Sequence, residues 1–196
     1  MATSKVGLKD THYLTLWDKN DLPKVRKWQD RIRAGLEPSV EFTDLLEDNL
    51  NDHRNLRIDP LKVAVDRKYI MTWKGIAKIC RLVTKQDTNT FTHVAVGTGS
   101  TTPQPYDSAL VTEVTYIDFA TNGFFDGAGV SIRYCGTFGE SVATNTFTES
   151  IVRDQASPTN ATVLCRNIFA DIPIDHNSGS SGFSAAGIIE FIPIVD

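Results

Sequence analysis

Three cysteines in 196 residues, Cys80, Cys135 and Cys165, leave no room for a disulfide framework. They form no CxxC pair and have no histidine at metal spacing, so they read as small buried hydrophobes. No apolar run approaches the roughly 20 residues that a membrane span requires. The N-terminus, with Lys5, Lys9 and Asp10 among polar residues, lacks the apolar stretch of a secretory signal. Synthesis and assembly in a reducing cytoplasm are expected. Positive charge is the scarcest commodity of the second half: of 20 cationic side chains only Arg133, Arg153 and Arg166 follow residue 90, against 11 of the 24 carboxylates. That part carries a net charge of −8 and the first 90 residues +4. Such a step marks two regions with different neighbours, and opposite signs suit head-to-tail packing of copies.

Signals of catalysis and of cofactor binding are also missing. His12, His53, His93 and His176 are scattered, with neither HExxH nor HxH spacing to hold a metal. Gly97-Thr98-Gly99 would need a third glycine three residues on to form a dinucleotide loop, and Thr102-Pro103 stands there. No Gly-Lys-Ser or Gly-Lys-Thr follows for a phosphate loop. Around Ser180-Ser181-Gly182, Gly179 precedes Ser181 by two residues but Phe183 stands where a nucleophile elbow needs its second glycine. A non-enzymatic protein without metal or cofactor is expected, one that binds neither nucleic acid nor membrane.

What is present is organised around Phe91 to Glu113, FTHVAVGTGSTTPQPYDSALVTE. Phe91 to Val96 is a β-branched and aromatic run, Gly97 and Gly99 stop it, and Pro103 and Pro105 keep the following chain extended. The two glycines are expected to supply positive φ in a tight turn. Before this stretch, Met1 to Asn20 has no clear period and reads as an arm or edge strand. Asp21-Leu22-Pro23 is a helix start, with Val25, Trp28 and Ile32 on one face and Lys24, Lys27, Arg31 and Arg33 on the other. A second helix follows Pro38-Ser39, with Phe42, Leu45, Leu46 and Leu50 as its stripe. Asn51 to Pro60 reads as a loop, and Leu61, Val63 and Val65 alternate as in a strand. A third helix, about Met71 to Thr84, places Trp73, Ile76, Ile79, Cys80 and Val83 on one face and turns Lys74, Lys78 and Arg81 outward.

After residue 90 the pattern becomes period two. Strands are predicted at Phe91 to Val96, Ala109 to Ala120, Gly129 to Phe138, Asn145 to Arg153, Ala161 to Asp171 and Gly187 to Val195. Turns are predicted at Thr121-Asn122-Gly123, Asp126-Gly127, Asp154 to Asn160 and Asp175 to Gly182. In Gly129 to Phe138, Val130, Ile132, Tyr134 and Phe138 face one way, as in a half-buried antiparallel strand. The expected fold class is α+β: a mainly helical anchoring region over residues 1–90, then an antiparallel β-sandwich or jelly-roll-like domain over 91–196.

An ordered set of short phrases then resembles a recurring module of tailed-bacteriophage virion proteins. These are His93 to Pro103 (HVAVGTGSTTP), Asp107-Ser108-Ala109-Leu110, Glu113, Glu149-Ser150-Ile151-Val152, Val163 to Phe169 and the apolar strand Ile188 to Ile194. Where a Gly-Leu pair commonly follows the acidic position, this chain has Ser150-Ile151. The resemblance covers about residues 70–196 and implies a structural subunit of the tail, collar or capsid exterior. Its partners would be copies of itself, a trimer by analogy, and other virion proteins. Residues 1–90 would anchor it through Trp28, Ile32, Leu46 and Leu50. Gly97, Gly99, Pro103 and Pro105 would serve as a structural loop. A competing reading is a receptor- or glycan-binding module of a tail fibre, contacting a host-surface glycan through loops that carry Tyr106, Phe124 and Phe125. No sustained heptads or fixed repeats of a fibre shaft occur.

Overall fold

The structure is a computed structural model that describes residues 5–18, 20, 21, 23, 24, 27, 62–118, 123–128, 131–138, 145–174 and 180–194. In chain order it comprises β1 (Lys5–Asp18), β2 (Lys62–Met71), α1 (Trp73–Val83), β3 (His93–Gly97), β4 (Glu113–Asp118), β5 (Gly123–Ala128), β6 (Ser131–Phe138), β7 (Asn145–Arg153), β8 (Val163–Ile174) and β9 (Ser180–Ile194). The nine strands hydrogen-bond in the order β4-β3-β7-β8-β2-β1-β9-β6-β5. All eight pairings are antiparallel. The described part is therefore a mostly antiparallel β structure with one short helix. That helix is not long and apolar enough to cross a membrane.

The charge step at residue 90 does not coincide with a break in this sheet. β1 lies between β2 and β9, running beside β9 from Lys5↔Ile194 to Asp18↔Ser180. It is an inner strand of the order, where the sequence suggested an arm or an edge. β2, foreseen from the alternation of Leu61, Val63 and Val65, joins two neighbours in turn. Its first half pairs with β1 through Leu16↔Lys62 to Tyr13↔Val65, and its second half with β8 through Asp66↔Phe169 to Met71↔Cys165. Lys24 pairs with Asp21 at 2.6 Å, and the helices expected after Asp21-Leu22-Pro23 and Pro38-Ser39 fall largely outside the described residues. The anchoring residues Trp28, Ile32, Leu46 and Leu50 lie outside the described residues.

β7 occupies the predicted span, and β3, β6 and β8 fall within a few residues of theirs. Two differences stand out. Gly123–Ala128, read as a pair of turns, is strand β5, so Phe124 and Phe125 stand in a strand that pairs with β6 and not in a loop. β9 begins at Ser180, inside the stretch Asp175 to Gly182 predicted as a turn, because β1 and β6 on either side supply hydrogen-bond partners for its small residues. The core gathers Leu16, Phe91, Val94, Val96, Ile117, Phe138, Phe147, Val152, Leu164, Cys165, Phe169 and Ile172.

The helix is rotated away from the expected orientation. Its apolar stripe faces out: Trp73 is 66% exposed and Val83 77%, and Ile76 and Cys80 are exposed too. Gly75 and Lys78 face in instead, with Ile79 and Leu82 half-buried against the core. Three contacts impose this. Thr72 caps the helix by accepting from the Gly75 amide at 2.9 Å, while its own amide donates to Leu164 O at 2.9 Å and its hydroxyl to Val163 O. Gly75 lies on the β8 backbone, where an added Cβ would come within 2.6 Å of Leu164 O. Lys78 Nζ meets Asp154 at 2.7 Å and Asp87 at 3.5 Å, over the face of Phe91.

Helix propensity alone would make Gly75→Ala stabilising by about 1 kcal/mol. The contact with β8 reverses the sign, and a loss on the order of 1–3 kcal/mol is expected from overpacking against an unyielding backbone. Urea denaturation of the two proteins measures it.

Candidate functional site

The chain between β3 and β4 runs from Thr98 to Thr112 with almost no regular structure, yet it is tightly held. The reason is Glu149 on β7, directly opposite Gly97 in the sheet and wholly buried. A carboxylate without water needs donors for both oxygens. Oε1 accepts from the Gly99 amide at 2.9 Å and the Thr112 amide at 3.0 Å. Oε2 accepts from the Val111 amide at 3.3 Å and from Arg166 Nε and Nη2 at 3.1 and 2.8 Å. One side chain thereby pins both ends of the loop to the sheet.

Arg166 on β8 continues the network. Its Nη1 donates to Asp107 at 2.9 Å and its Nη2 to Thr101 Oγ1 at 3.1 Å, so the guanidinium reaches the middle of the same loop. Asp107 also accepts from the Gln104 amide at 2.8 Å, and the Thr148 hydroxyl donates to Gly99 O at 2.9 Å. Finally the Trp73 amide donates to Pro105 O at 2.9 Å, which ties the loop to the start of α1.

This arrangement corrects the expected reason for the glycines. Neither Gly97 nor Gly99 has a φ in the left-handed region; both are needed for space. A Cβ at Gly97 would run into Thr112 O and lie 2.8 Å from Glu149 Oε1, and one at Gly99 would lie 2.5 Å from Glu149 Oε1 and 2.6 Å from the Val111 side chain. Among the described non-glycine residues, positive φ occurs elsewhere, at Lys85 (57°) and Asn160 (63°). Pro103 is buried in the loop and Pro105 half-buried, while Tyr106 beside it is 68% exposed. Of the predicted contact residues, Tyr106 alone lies on this loop.

A second ion pair braces the neighbouring strands. Arg153, buried at the end of β7, makes a two-pronged pair with Glu113 of β4, its Nη2 to Oε1 distance being 2.8 Å, and also donates to Ala156 O. Its guanidinium stands 5.3 Å over the Tyr116 ring, and Tyr116 in turn lies 5.7 Å from the His93 ring. Burial holds the His93 imidazole below its ordinary value of 6.5, Asp118 and Asp154 opposing and Arg153 adding to that shift. Lys78, expected to face solvent, is the third buried cation, paired with Asp154 and Asp87. The turn amide of Asn89, ahead of Lys78, holds Asp87 below the usual carboxylate range.

Glu113, Glu149 and Arg166 stood in the quoted phrases without a role, and Arg153 outside them. One signal pointed to the arginines: where cations are scarce and carboxylates plentiful, the few arginines present are the natural candidates for buried pairing. The polar groups around Glu149 and Arg166 are directed at one another and at backbone, while the Nε of buried Arg153 has no hydrogen-bond partner. Among the described residues, no three His, Cys, Asp or Glu side chains are grouped to hold a metal.

Glu149→Leu is expected to lower stability by about 3–5 kcal/mol, since it removes one of the two carboxylates that face buried Arg166 and the acceptor of three backbone amides. Adding Arg166→Leu should return only part of that loss, because the Gly99 and Thr112 amides still lack an acceptor. Hydrogen exchange at amides 99, 111 and 112 should accelerate in both variants.

His93 gives a pH dependence of definite sign. With the folded value below the unfolded one, the unfolded chain takes up the proton first, so the contribution of His93 is fully present above about pH 6.5 and is lost as pH falls below it. His93→Gln should flatten the stability profile between about pH 7.5 and 5, measured by denaturant midpoints at each pH.

No protein-family model, curated protein or solved structure matches this chain.

Proposed function

We propose that this protein is a non-enzymatic structural subunit of a tailed-virus particle, a β-sandwich subunit that assembles as an oligomer at the tail, collar or capsid surface. The observation that carries the reading is how the motif residues are used. Gly97, Gly99, Thr101, Asp107 and Glu149 are spent on holding one loop to one sheet, with Arg166 as the common cation. A motif whose polar ends satisfy one another serves the shape of the subunit and not the turnover of a ligand. A sandwich suits the described strands, since β2 passes from the β1 side to the β8 side midway along its length.

A host-surface glycan remains the second reading, favoured by Tyr106, which projects from a loop held rigidly at both ends. A glycan array with wild type and Tyr106→Ala separates the two: binding lost in the variant supports the recognition module.

Quantitative mass spectrometry of purified particles tests the main reading. The protein should be present at fixed stoichiometry, hundreds of copies for a capsid position and a few to a few tens for tail or neck. Absence from the particles would refute it.

A further inference from the structure

Two carboxylates and one amine meet between α1 and the end of β7 with little water around them, and an ion pair is not the only chemistry open to such a group. Lys78 Nζ stands 2.7 Å from Asp154 Oδ2 and 3.5 Å from Asp87 Oδ2, and the Lys78 and Asp154 side chains are only 6% and 11% exposed. The Phe91 ring covers the amine from one side, with its centroid 5.8 Å away. Asp154 is held firmly around this contact. Its Oδ1 accepts from the Thr162 amide at 2.8 Å, its own amide donates to Thr162 O at 3.3 Å, and its carbonyl accepts from the Thr92 hydroxyl at 3.4 Å. Asp87 is placed by the chain folding back at the end of α1, where the Gln86 and Asp87 amides donate to Arg81 O at 2.8 and 3.3 Å. The Asn89 amide donates to Asp87 Oδ1 at 2.8 Å, so that Oδ2 is the oxygen turned toward Lys78.

A primary amine held against a carboxyl in a water-poor site meets the conditions for condensation. Proximity replaces the collision that free reactants would need, and burial favours uncharged products over a charged pair. We propose that Lys78 and Asp154 condense to an intramolecular amide, a covalent staple between α1 and the end of β7. A proton passes from Nζ to Asp154 Oδ2 along the hydrogen bond that joins them, and the lone pair so freed attacks Cγ, one bond beyond Oδ2. Negative charge develops on Oδ1, where the Thr162 amide already donates. Asp87 takes a second proton from the nitrogen and delivers it to the Oδ2 hydroxyl, which departs as water while Oδ1 returns to a carbonyl. The Nζ–Cγ bond has formed, the Cγ–Oδ2 bond has broken, and Asp87 is regenerated. The water is released beside a pocket of about 220 Å3 that Lys78, Asp87 and Thr162 help to line. Unlike a disulfide, this bond needs no oxidant. It ties residues 76 positions apart, a loop long enough for its closure to restrict the unfolded chain strongly. The staple does not depend on the particle-subunit reading.

Intact-mass spectrometry of the purified full chain, followed by tryptic peptide mapping, tests the staple. Wild type should be lighter by one water than its sequence requires, and the digest should contain Lys78 uncleaved and joined to the peptide that carries Asp154. Lys78→Arg keeps the positive charge but lacks a primary amine, and should have its full mass. Asp154→Asn should lose ammonia in place of water, which identifies the leaving group as the one on Cγ. Asp87→Asn removes the proton carrier and should slow the condensation by at least about a hundredfold, read as full mass with circular dichroism like that of wild type. A wild-type chain of full mass that trypsin cleaves after Lys78 would overturn the inference whatever the variants do, and so would a water loss mapped to any other pair of residues. Undiminished condensation in Asp87→Asn would overturn the role given to Asp87.

Discussion

A carboxylate buried beyond the reach of water is the constraint on which the loop region depends. Glu149 has its two oxygens filled by three backbone amides and by Arg166, and none of these donors is near another in sequence except Val111 and Thr112. The network therefore forms only when β3, β4, β7 and β8 are all in place. It converts fifteen residues of irregular chain, 98–112, into a part of the sheet's rigid body without any regular hydrogen-bond ladder. The same carboxylate dictates the residue opposite it: Gly97 must lack a side chain because Glu149 lies over it.

The ion pairs are economical with positive charge. Arg153, Arg166 and Lys78 are each buried and each face at least one carboxylate. Isolated burial of any of them would carry a large desolvation penalty, and close pairing with additional hydrogen bonds offsets it.

Helix α1 shows one element answering to two demands. Its first turn is fixed by Thr72 and by the contact of Gly75 with β8, and its second by Lys78. Those attachments turn Gly75 and Lys78 inward beside half-buried Ile79 and Leu82, leaving Trp73, Ile76 and Val83 exposed. The loop that Glu149 holds is joined to the start of this helix through the Trp73 amide and Pro105 O. Loop, helix and ion pairs thus share one mechanical unit at the β7–β8 side of the sheet.

Strand positions in β3, β6, β7 and β8 were legible in the chain because alternation of apolar and polar residues is a local consequence of one face being buried. So was the place of the loop between Gly97 and Ala109. The orientation of α1 was not, since periodicity identifies an apolar face but not what it will meet, and here a cap, a glycine contact and a buried lysine outweighed it. β5 and the start of β9 were hidden by glycine, serine and asparagine, residues that enter strands only when partners on other parts of the chain are waiting. The role of Gly97 and Gly99 as clearance for Glu149 joins positions about fifty residues apart. Spacing in one dimension carries no such information, and the folded sheet, which places them opposite one another, decides it.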